Sequence, residues 1–399
     1  MKKYRVVSLF SGAGGMDLGF KNVGFEIVWA NDFFPEAINT YRKNIGDHIV
    51  YGDITKIPSK EIPDNIDVVI GGFPCQGFSI ANNNRSMKDE RNFLYKEMLR
   101  IISDKKPKIF VAENVKGLLS MEKGGVIKLI KNDFEKLGYK VEYRVLNAAE
   151  YGVPQTRERV IIMGTLKHQQ ILFPEKTHVL EHNLLNQDLP LAINTKSVIG
   201  WLEKVRTSDF PIKHNGKIIY NHIASDNVHD KFWGRKYEVN QHEICDYLKF
   251  WRKKSGLSTI KIDQHFGYAH TAGHWFRKDN NSGSIPKPLD WWELKKLLGF
   301  DDKYDLKVTT FIEKEIKFEQ SLRITNWDRP SDTITATSPE IHVNKSRRLS
   351  ARECAIIQSF PDDFQFVGGL SKIYKQIGNA VPVLLAEKIA ISVYKMLKS

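Results

Sequence analysis

Cysteine is scarce in this chain, with three in 399 residues: Cys75, Cys245 and Cys354. Odd in number and far apart, they argue against a disulfide framework and fit a reducing compartment. Long apolar runs are missing too. None approaches the ~20 residues a membrane helix needs, so no membrane association is expected. The start, Met1-Lys-Lys-Tyr4, runs straight into a strand-like segment without a small-residue cleavage site. No signal peptide is therefore expected, and the chain reads as cytoplasmic. Internal repeats and long low-complexity tracts are absent, which sets aside solenoid and linker architectures. Negative charge is in deficit: 60 Lys and Arg face 47 Asp and Glu, for a net charge of +13. Such an excess favours a polyanionic partner, but it is spread along the chain, and general solubility explains it equally well.

The length allows a large core and two domains. Residues 1–165 alternate short β-branched runs (4–10, 25–30, 49–51, 67–70 and 109–112) with helix-length amphipathic segments (16–22, 34–44, 93–103 and 126–137). This alternation predicts a doubly wound α/β fold with a mixed, mostly parallel sheet. Ser11, Asp32, Asp53, Cys75 and Glu113 each fall just after a predicted strand. That is the ligand-binding edge of an open α/β sheet. After about residue 174 the pattern dissolves. Seven of the eight tryptophans and nine of the twelve histidines lie between 175 and 330. The chain is thus divided into a first domain over 1–174, a smaller loop-rich domain over 175–367, and a C-terminal return over 368–399 that completes the first. In that return, Pro382 suits a first helical turn, and Leu385, Ile389, Val393 and Leu397 form a docking stripe.

Three motifs carry chemistry. In Phe10-Ser-Gly-Ala-Gly-Gly15, the glycines permit positive φ and let a ligand approach the backbone at a helix N-terminus. A dinucleotide loop would need a third glycine at the proper offset, which is missing; a plain tight turn is the alternative. Asp32 and Asp53 supply acceptors suited to a ribose hydroxyl and an exocyclic amine, or else helix N-caps. Gly71-Gly-Phe-Pro-Cys-Gln-Gly-Phe-Ser79 presents the Cys75 thiol on a rigid turn at a strand end, where it can ionise and attack. The polar stretch from there to Arg91 reads as a lid.

This last segment resembles the Pro-Cys motif of the cytosine-5 DNA methyltransferases, and further blocks follow in that family's order. Phe10–Gly15 resembles the first cofactor block and Tyr51-Gly-Asp-Ile54 the adenine block. Glu113-Asn-Val115 resembles the block with the base-binding glutamate, and Gln155-Thr-Arg-Glu-Arg159 matches Gln-x-Arg-x-Arg. Arg348-Leu-Ser-x-Arg-Glu-Cys-x-x-x-Gln-Ser-Phe-Pro361 resembles the block supporting target recognition. Gln376-Ile-Gly-Asn-Ala-Val-Pro382 resembles the last block, which closes over the cofactor. The resemblance covers roughly 1–165 and 321–399. It implies S-adenosylmethionine as methyl donor, held by Phe10, Ser11, Gly12, Gly14, Gly15, Asp32, Phe33, Asp53, Ile54, Pro74, Leu94, Asn379 and Val381. It implies a catalytic set of Cys75, Glu113, Arg159 and Arg157, with Arg157 bracing structure or phosphate. DNA contacts are implied for Gln76, Ser79, Arg91 and Thr335. The family usually has glutamate at the position of Asp32 and glycine at that of Asn92.

The chemistry explains the residue types. Thiolate addition at C6 of cytosine makes C5 nucleophilic; Glu113, in its neutral form, answers charge at N3, and Arg159 holds O2. The base must leave the duplex first. The resemblance further implies double-stranded DNA as partner, with the enzyme acting as a monomer often accompanied by a restriction endonuclease; the middle segment is expected to read the sequence. A tRNA cytosine methyltransferase and a non-catalytic DNA-binding regulator are the rivals. No metal is expected, because the spacing of His265, His270, His274 and Cys245 matches no zinc pattern. Trp291 and Trp292 read as core.

Overall fold

The strand–helix alternation of the N-terminal half becomes a seven-stranded sheet in a computed structural model of the chain. The structure describes residues 3–74, 94–166, 169–183, 187–225, 241–268, 275–276, 285–309, 323–337, 339–344 and 346–398. Strands β1 (Arg5–Leu9), β2 (Glu26–Asp32), β3 (Ile49–Tyr51), β4 (Val68–Gly71) and β5 (Ile109–Val115) alternate with helices α1 (Gly15–Val23), α2 (Pro35–Asn44) and α3 (Leu94–Lys105). Helix α4 (Gly125–Lys136) and strands β6 (Tyr139–Asn147) and β7 (Glu158–Leu166) complete this half. The strand order is β3-β2-β1-β4-β5-β7-β6. β1 to β5 pair in parallel, as the alternation requires, whereas β7 runs antiparallel to both β5 and β6. The sheet is therefore mixed and mostly parallel, as expected. β6 and β7 lay outside the run of expected strands, although Lys140, Glu142 and Arg144 alternate with Val141, Tyr143 and Val145 at the period of a half-exposed strand.

One core explains why α3 and α4 lie on this sheet. Tyr95, Met98, Ile101 and Ile102 from α3 and Val126, Ile127, Ile130 and Phe134 from α4 recur at helical spacing. They are buried in one cluster with Val7, Leu9, Val69, Phe110 and Ile162 of the strands. Side chains of this size each contribute about 1.5–3 kcal/mol on full burial. The chain returns through α10 (Ala351–Ile357), α11 (Leu370–Asn379) and α12 (Val383–Lys398), the labels α5 to α9 and β8 to β9 falling to the segment between. A capping box starts α10: Ser350 accepts from the Glu353 amide, and Glu353 accepts from the Ser350 amide. Helix α12 buries Leu385, Ile389 and Val393 of the expected stripe and packs on α1. The fit is close, since a methyl on Gly19 would stand 2.5 Å from Ala386 Cβ and 2.8 Å from the Val383 carbonyl.

By packing, the chain forms two compact units: residues 1–223, 327–337 and 350–399, and residues 224–326 and 338–349. The first also holds α5 (Thr195–Ile199) and the hairpin of β8 (Ile212–His214) and β9 (Lys217–Ile219). The second is helical, with α6 (Gln241–Ser255), α7 (Thr259–Phe266), α8 (Pro288–Leu298) and α9 (Asp305–Thr309). Its core joins Ile244, Leu248, Ile262, Trp275, Trp291 and Leu294. Trp291 is buried and donates its indole N–H to Asp305 at 2.8 Å. Trp292 is 41% exposed, so only one of the pair is core. The alternation along α8 accounts for this, because adjacent helical residues face different ways. No helix among the described residues is long and apolar enough to cross a membrane.

One ionisable group lies buried in the first helix. Asp17 is fully buried in α1 and accepts from Ser8 Oγ at 2.9 Å and Tyr41 Oη at 2.8 Å. The Tyr41 hydroxyl also lies 3.0 Å from His48 Nε2. Burial pushes the Asp17 carboxyl up to about 6, against the two hydroxyl bonds that pull it down. The native state then keeps a proton that the unfolded chain releases near the ordinary aspartate value. This contribution to stability is intact below about pH 4 and is lost as pH rises through about 6, amounting to about 3 kcal/mol. Asp17→Asn removes the titration while keeping an acceptor and a donor for the hydroxyls. Urea unfolding at pH 4 and pH 7 should show the variant gaining about 3 kcal/mol on the parent across that interval. A parent and variant with parallel pH profiles would contradict the assignment.

Candidate active site

The carboxyl ends of β1, β2 and β3 build one edge of the site. Phe10 and Gly12 both have φ of 54°, and Gly14 has φ of 86° as it caps α1. Left-handed backbone at the non-glycine Phe10 is strained by about 1–2 kcal/mol, the kind of strain found at binding loops. The loop is held by its neighbours. Ser11 N–H donates to the Asn31 carbonyl at 3.0 Å, and the Asn31 amide donates to the carbonyls of Val50 and Gly52, both at 3.0 Å. Asp32 binds the main chain as well, with one amide on each oxygen. Its Oδ2 accepts from Gly12 N–H at 2.7 Å and its Oδ1 from Phe34 N–H at 2.9 Å. Burial raises the Asp32 carboxyl, opposed by those amides and by the Lys375 charge. Asp53 accepts from the Thr55 amide and hydroxyl and caps the following 3-10 turn, of which Ile54 is buried.

Beside these acceptors two rings are open: Phe33 is 66% exposed and Tyr51 is 60% exposed. The C-terminal return meets this edge. A methyl on Gly15 would lie 2.4 Å from the Val381 carbonyl and 3.2 Å from Ala380 Cβ, so residues 380–381 lie directly on the glycine loop. Val381 is buried and Asn379 exposed. Lys372 and Lys375 of α11 place their ammonium groups 5.2 and 4.7 Å from the Phe34 ring. Exposed rings, carboxylates after successive strands and a strained glycine loop fit a nucleoside-bearing ligand such as S-adenosylmethionine.

The second edge is made by β4, β5 and β7. Gly71-Gly-Phe-Pro74 ends β4 and leads to Cys75, which lies outside the described residues, as do Gln76, Ser79, Arg91 and Asn92. Pro74 and Leu94, the residues flanking that stretch most closely, are half-buried. Asn114 Nδ2 donates to the Phe73 carbonyl at 3.0 Å, fastening this turn to β5. Antiparallel register sets Val115 opposite Arg159 and Glu113 opposite Ile161. Arg159 Nε and Glu113 Oε1 thereby meet at 2.8 Å, with their side chains only 13% and 11% exposed. The other carboxylate oxygen, Oε2, stands 3.1 Å from where a Cβ on Gly72 would be. Glu113 is thus beside the Gly72-Phe73-Pro74 turn, and the Arg159 guanidinium is beside Glu113.

Arg157 is placed differently. It is 1% exposed and donates to the carbonyls of Ile334, Gly378 and Ala380 at 3.0, 2.8 and 3.1 Å. Burial lowers its basicity well below the ordinary value, and Arg159 adds to the effect. Thr335, half-buried, abuts Gly378: a methyl there would be 2.4 Å from the Thr335 carbonyl carbon. Sequence reasoning passed over Gln358, whose amide donates to the Ile377 carbonyl at 2.7 Å and whose Oε1 accepts from Gln155 Nε2 at 2.9 Å. Its position inside a family block was the available signal. Asp17 was passed over too, although a carboxylate within the apolar run of α1 marks it.

Of the histidines considered for a metal, His265 pairs with Glu293 at 3.5 Å, while His270 and His274 lie outside the described residues, as do residues 278–284. Burial pushes the Cys245 thiol up to about 12. Among the described residues, no group of three or more His, Cys, Asp or Glu could hold a metal ion.

Comparison with known proteins shows the family of the chain. The type II methyltransferase M.NgoFVII of Neisseria gonorrhoeae is 36% identical over 390 residues, covering 95% of this chain and 83% of the relative. M1.HphI of Haemophilus parahaemolyticus, another type II methyltransferase, is 32% identical over 399 residues, covering 98% and 86%. A crystal structure of a candidate DNA modification methyltransferase encoded within an E. coli prophage superimposes with a TM-score of 0.61 at 21% identity, covering 100% of each chain, and shows the shared fold. The profile of the C-5 cytosine-specific DNA methylase family matches residues 4–395. With both edges of the site inside that match, the chain belongs to the C-5 cytosine-specific DNA methylase family and is a DNA (cytosine-5)-methyltransferase.

Proposed function

We propose that this enzyme methylates C5 of a cytosine flipped out of a specific duplex DNA sequence, through a covalent bond from Cys75 to C6. The observation that carries the reading is the Glu113–Arg159 pair beside the Gly72-Phe73-Pro74 turn. A stacked base hides C5 and C6, so extrusion comes first. Cys75 loses its proton and its sulfur bonds to C6, pushing the ring electrons toward N3 and C5. Glu113, in its neutral form, places a proton at N3 through Oε2, the oxygen not bound to Arg159 Nε, while Arg159 donates to O2. S-adenosylmethionine supplies an electrophilic methyl on sulfur, which C5 takes as the donor's carbon–sulfur bond breaks. The C5 proton then leaves to solvent, the C6–sulfur bond breaks as the N3 proton returns to Glu113, and the aromatic ring and the Cys75 thiolate are restored. Phe33, Asp32, Asp53 and the 379–381 segment are the groups that would hold the donor. Relatives bearing type II methyltransferase names support a role in restriction–modification, protecting the cell's DNA from a partner endonuclease in the cytoplasm.

The covalent step has a direct test that needs no knowledge of the recognition site. Duplex DNA made with 5-fluorodeoxycytidine throughout should form a denaturation-stable adduct when S-adenosylmethionine is present, because fluorine cannot leave as the proton does. Cys75→Ala should abolish the adduct, and Cys245→Ala and Cys354→Ala should keep it. An adduct that survives in Cys75→Ala assigns the nucleophile elsewhere.

Sequence reading is assigned to the middle segment, whose compact unit spans 224–326 and 338–349. The cytosine chemistry is the same at every site, so Cys75, Glu113 and Arg159 cannot encode flanking bases. Each correct bidentate contact to a base edge contributes about 1–3 kcal/mol of discrimination. Replacing 224–326 with the matching segment of a relative of different specificity should move methylation to the donor's site, as read by bisulfite sequencing. An active hybrid that keeps the original site would place recognition outside the segment.

A further inference from the structure

Arg157 is a charge buried without a carboxylate partner among the described residues, and its three acceptors lie on two separate segments. One is 334, in the stretch 327–337; the other is 378–380, at the end of α11. A second tie runs in parallel. Gln155 Oε1 accepts from Ile334 N–H at 2.9 Å, and Gln155 Nε2 reaches Gln358, which holds the Ile377 carbonyl. A third joins Thr333 Oγ1 to the Thr156 carbonyl at 2.9 Å. Gly378 has no room for a side chain against Thr335 and Ala336, so the two segments are in main-chain contact. On one side of this knot, residues 380–381 press on Gly15 of the cofactor loop. On the other, two residues along the chain, Arg159 is fastened to Glu113.

We infer that Arg157 is a positioning residue that couples the cofactor loop to the base pocket, by fixing residues 378–380 and Ile334 against β7 as one body. The inference rests on the cofactor and base-pocket reading given above. A guanidinium suits the task because its planar fork serves several carbonyls in fixed directions, whereas a lysine ammonium at the end of a flexible stem cannot span the same three. A ligand that seats on 379–381 then restrains Ile334, Thr335 and Arg159 with it. Reciprocity requires that a base held by Arg159 tightens the cofactor by the same factor.

Hydrogen–deuterium exchange with S-adenosylhomocysteine as the probe tests the coupling without DNA. In the parent, saturating probe should slow exchange in peptides covering 10–16 and 376–383, and also in 155–160 and 331–337. In Arg157→Lys, protection should persist at 10–16 and 376–383 but fall at least threefold at 155–160 and 331–337. Gln358→Met, which cuts only the parallel tie, should give a smaller loss at the same two peptides and serves if Arg157→Lys does not fold. Parent protection confined to 10–16 and 376–383 overturns the coupling alone. Equal protection at 155–160 in parent and in either folded variant does the same. No protection anywhere overturns the cofactor reading, and the coupling with it.

Discussion

The seam between α1 and α12 is the constraint on which the site depends. Gly19 leaves no space for a methyl against Ala386, and Gly15 leaves none against the Val381 carbonyl. A side chain at either place would wedge the helices apart, at the about 1–3 kcal/mol that overpacking costs. The same seam is closed at its far end by Tyr4, which stacks edge-on against Tyr394 and donates its hydroxyl to the Leu397 carbonyl at 3.0 Å. Closeness here does more than stabilise. It brings residues 380–381 onto the glycine loop, so one wall of this edge is set by helix packing rather than by a loop of its own.

Where regular structure is sparse, buried guanidinium groups take over the work of hydrogen-bond ladders. Arg352 donates to the carbonyls of Tyr220, Pro361 and Phe364, and burial pushes it down to about 10. Arg157 does the same for Ile334, Gly378 and Ala380. Irregular segments carry carbonyls that must be satisfied when buried, and one arginine can satisfy three at once. Hydrogen bonds to a charged donor are worth about 1.5–3 kcal/mol each, which offsets part of the cost of burying the charge. The price of this economy is that a single substitution releases several segments together.

The N-terminal half was legible in the sequence because its signals are local. β-branched runs at strand length, helical spacing in α3 and α4, and polar residues at strand ends needed no partner to be recognised. The pairing of β7 between β5 and β6 is a long-range choice, and nothing in 139–166 states it. Asp32 and Asp53 were legible as acceptors, and the structure puts both at strand ends. Of the roles the residues alone left open, the structure shows Asp53 capping a 3-10 turn and Asp32 clamping the glycine loop. Arg157 and Arg159 are two apart on one strand edge and look equivalent on paper. Burial separates them, sending one into a main-chain knot and the other to Glu113. Trp291 and Trp292 diverge for the analogous helical reason.

The first compact unit is assembled from three stretches, 1–223, 327–337 and 350–399, and this has a consequence for the order of events in the cell. Synthesis runs from the glycine loop to α12, so the strand ends emerge long before the residues that cover them. A nascent chain can lay down β1 to β7 and still lack the Arg157 acceptors at 378–380 and the wall at 381. Such a chain has the strand ends of the sheet without residues 380–381 packed on Gly15. The return segment is thus the part that closes the first unit over the glycine loop, and it comes from the far end of the sequence.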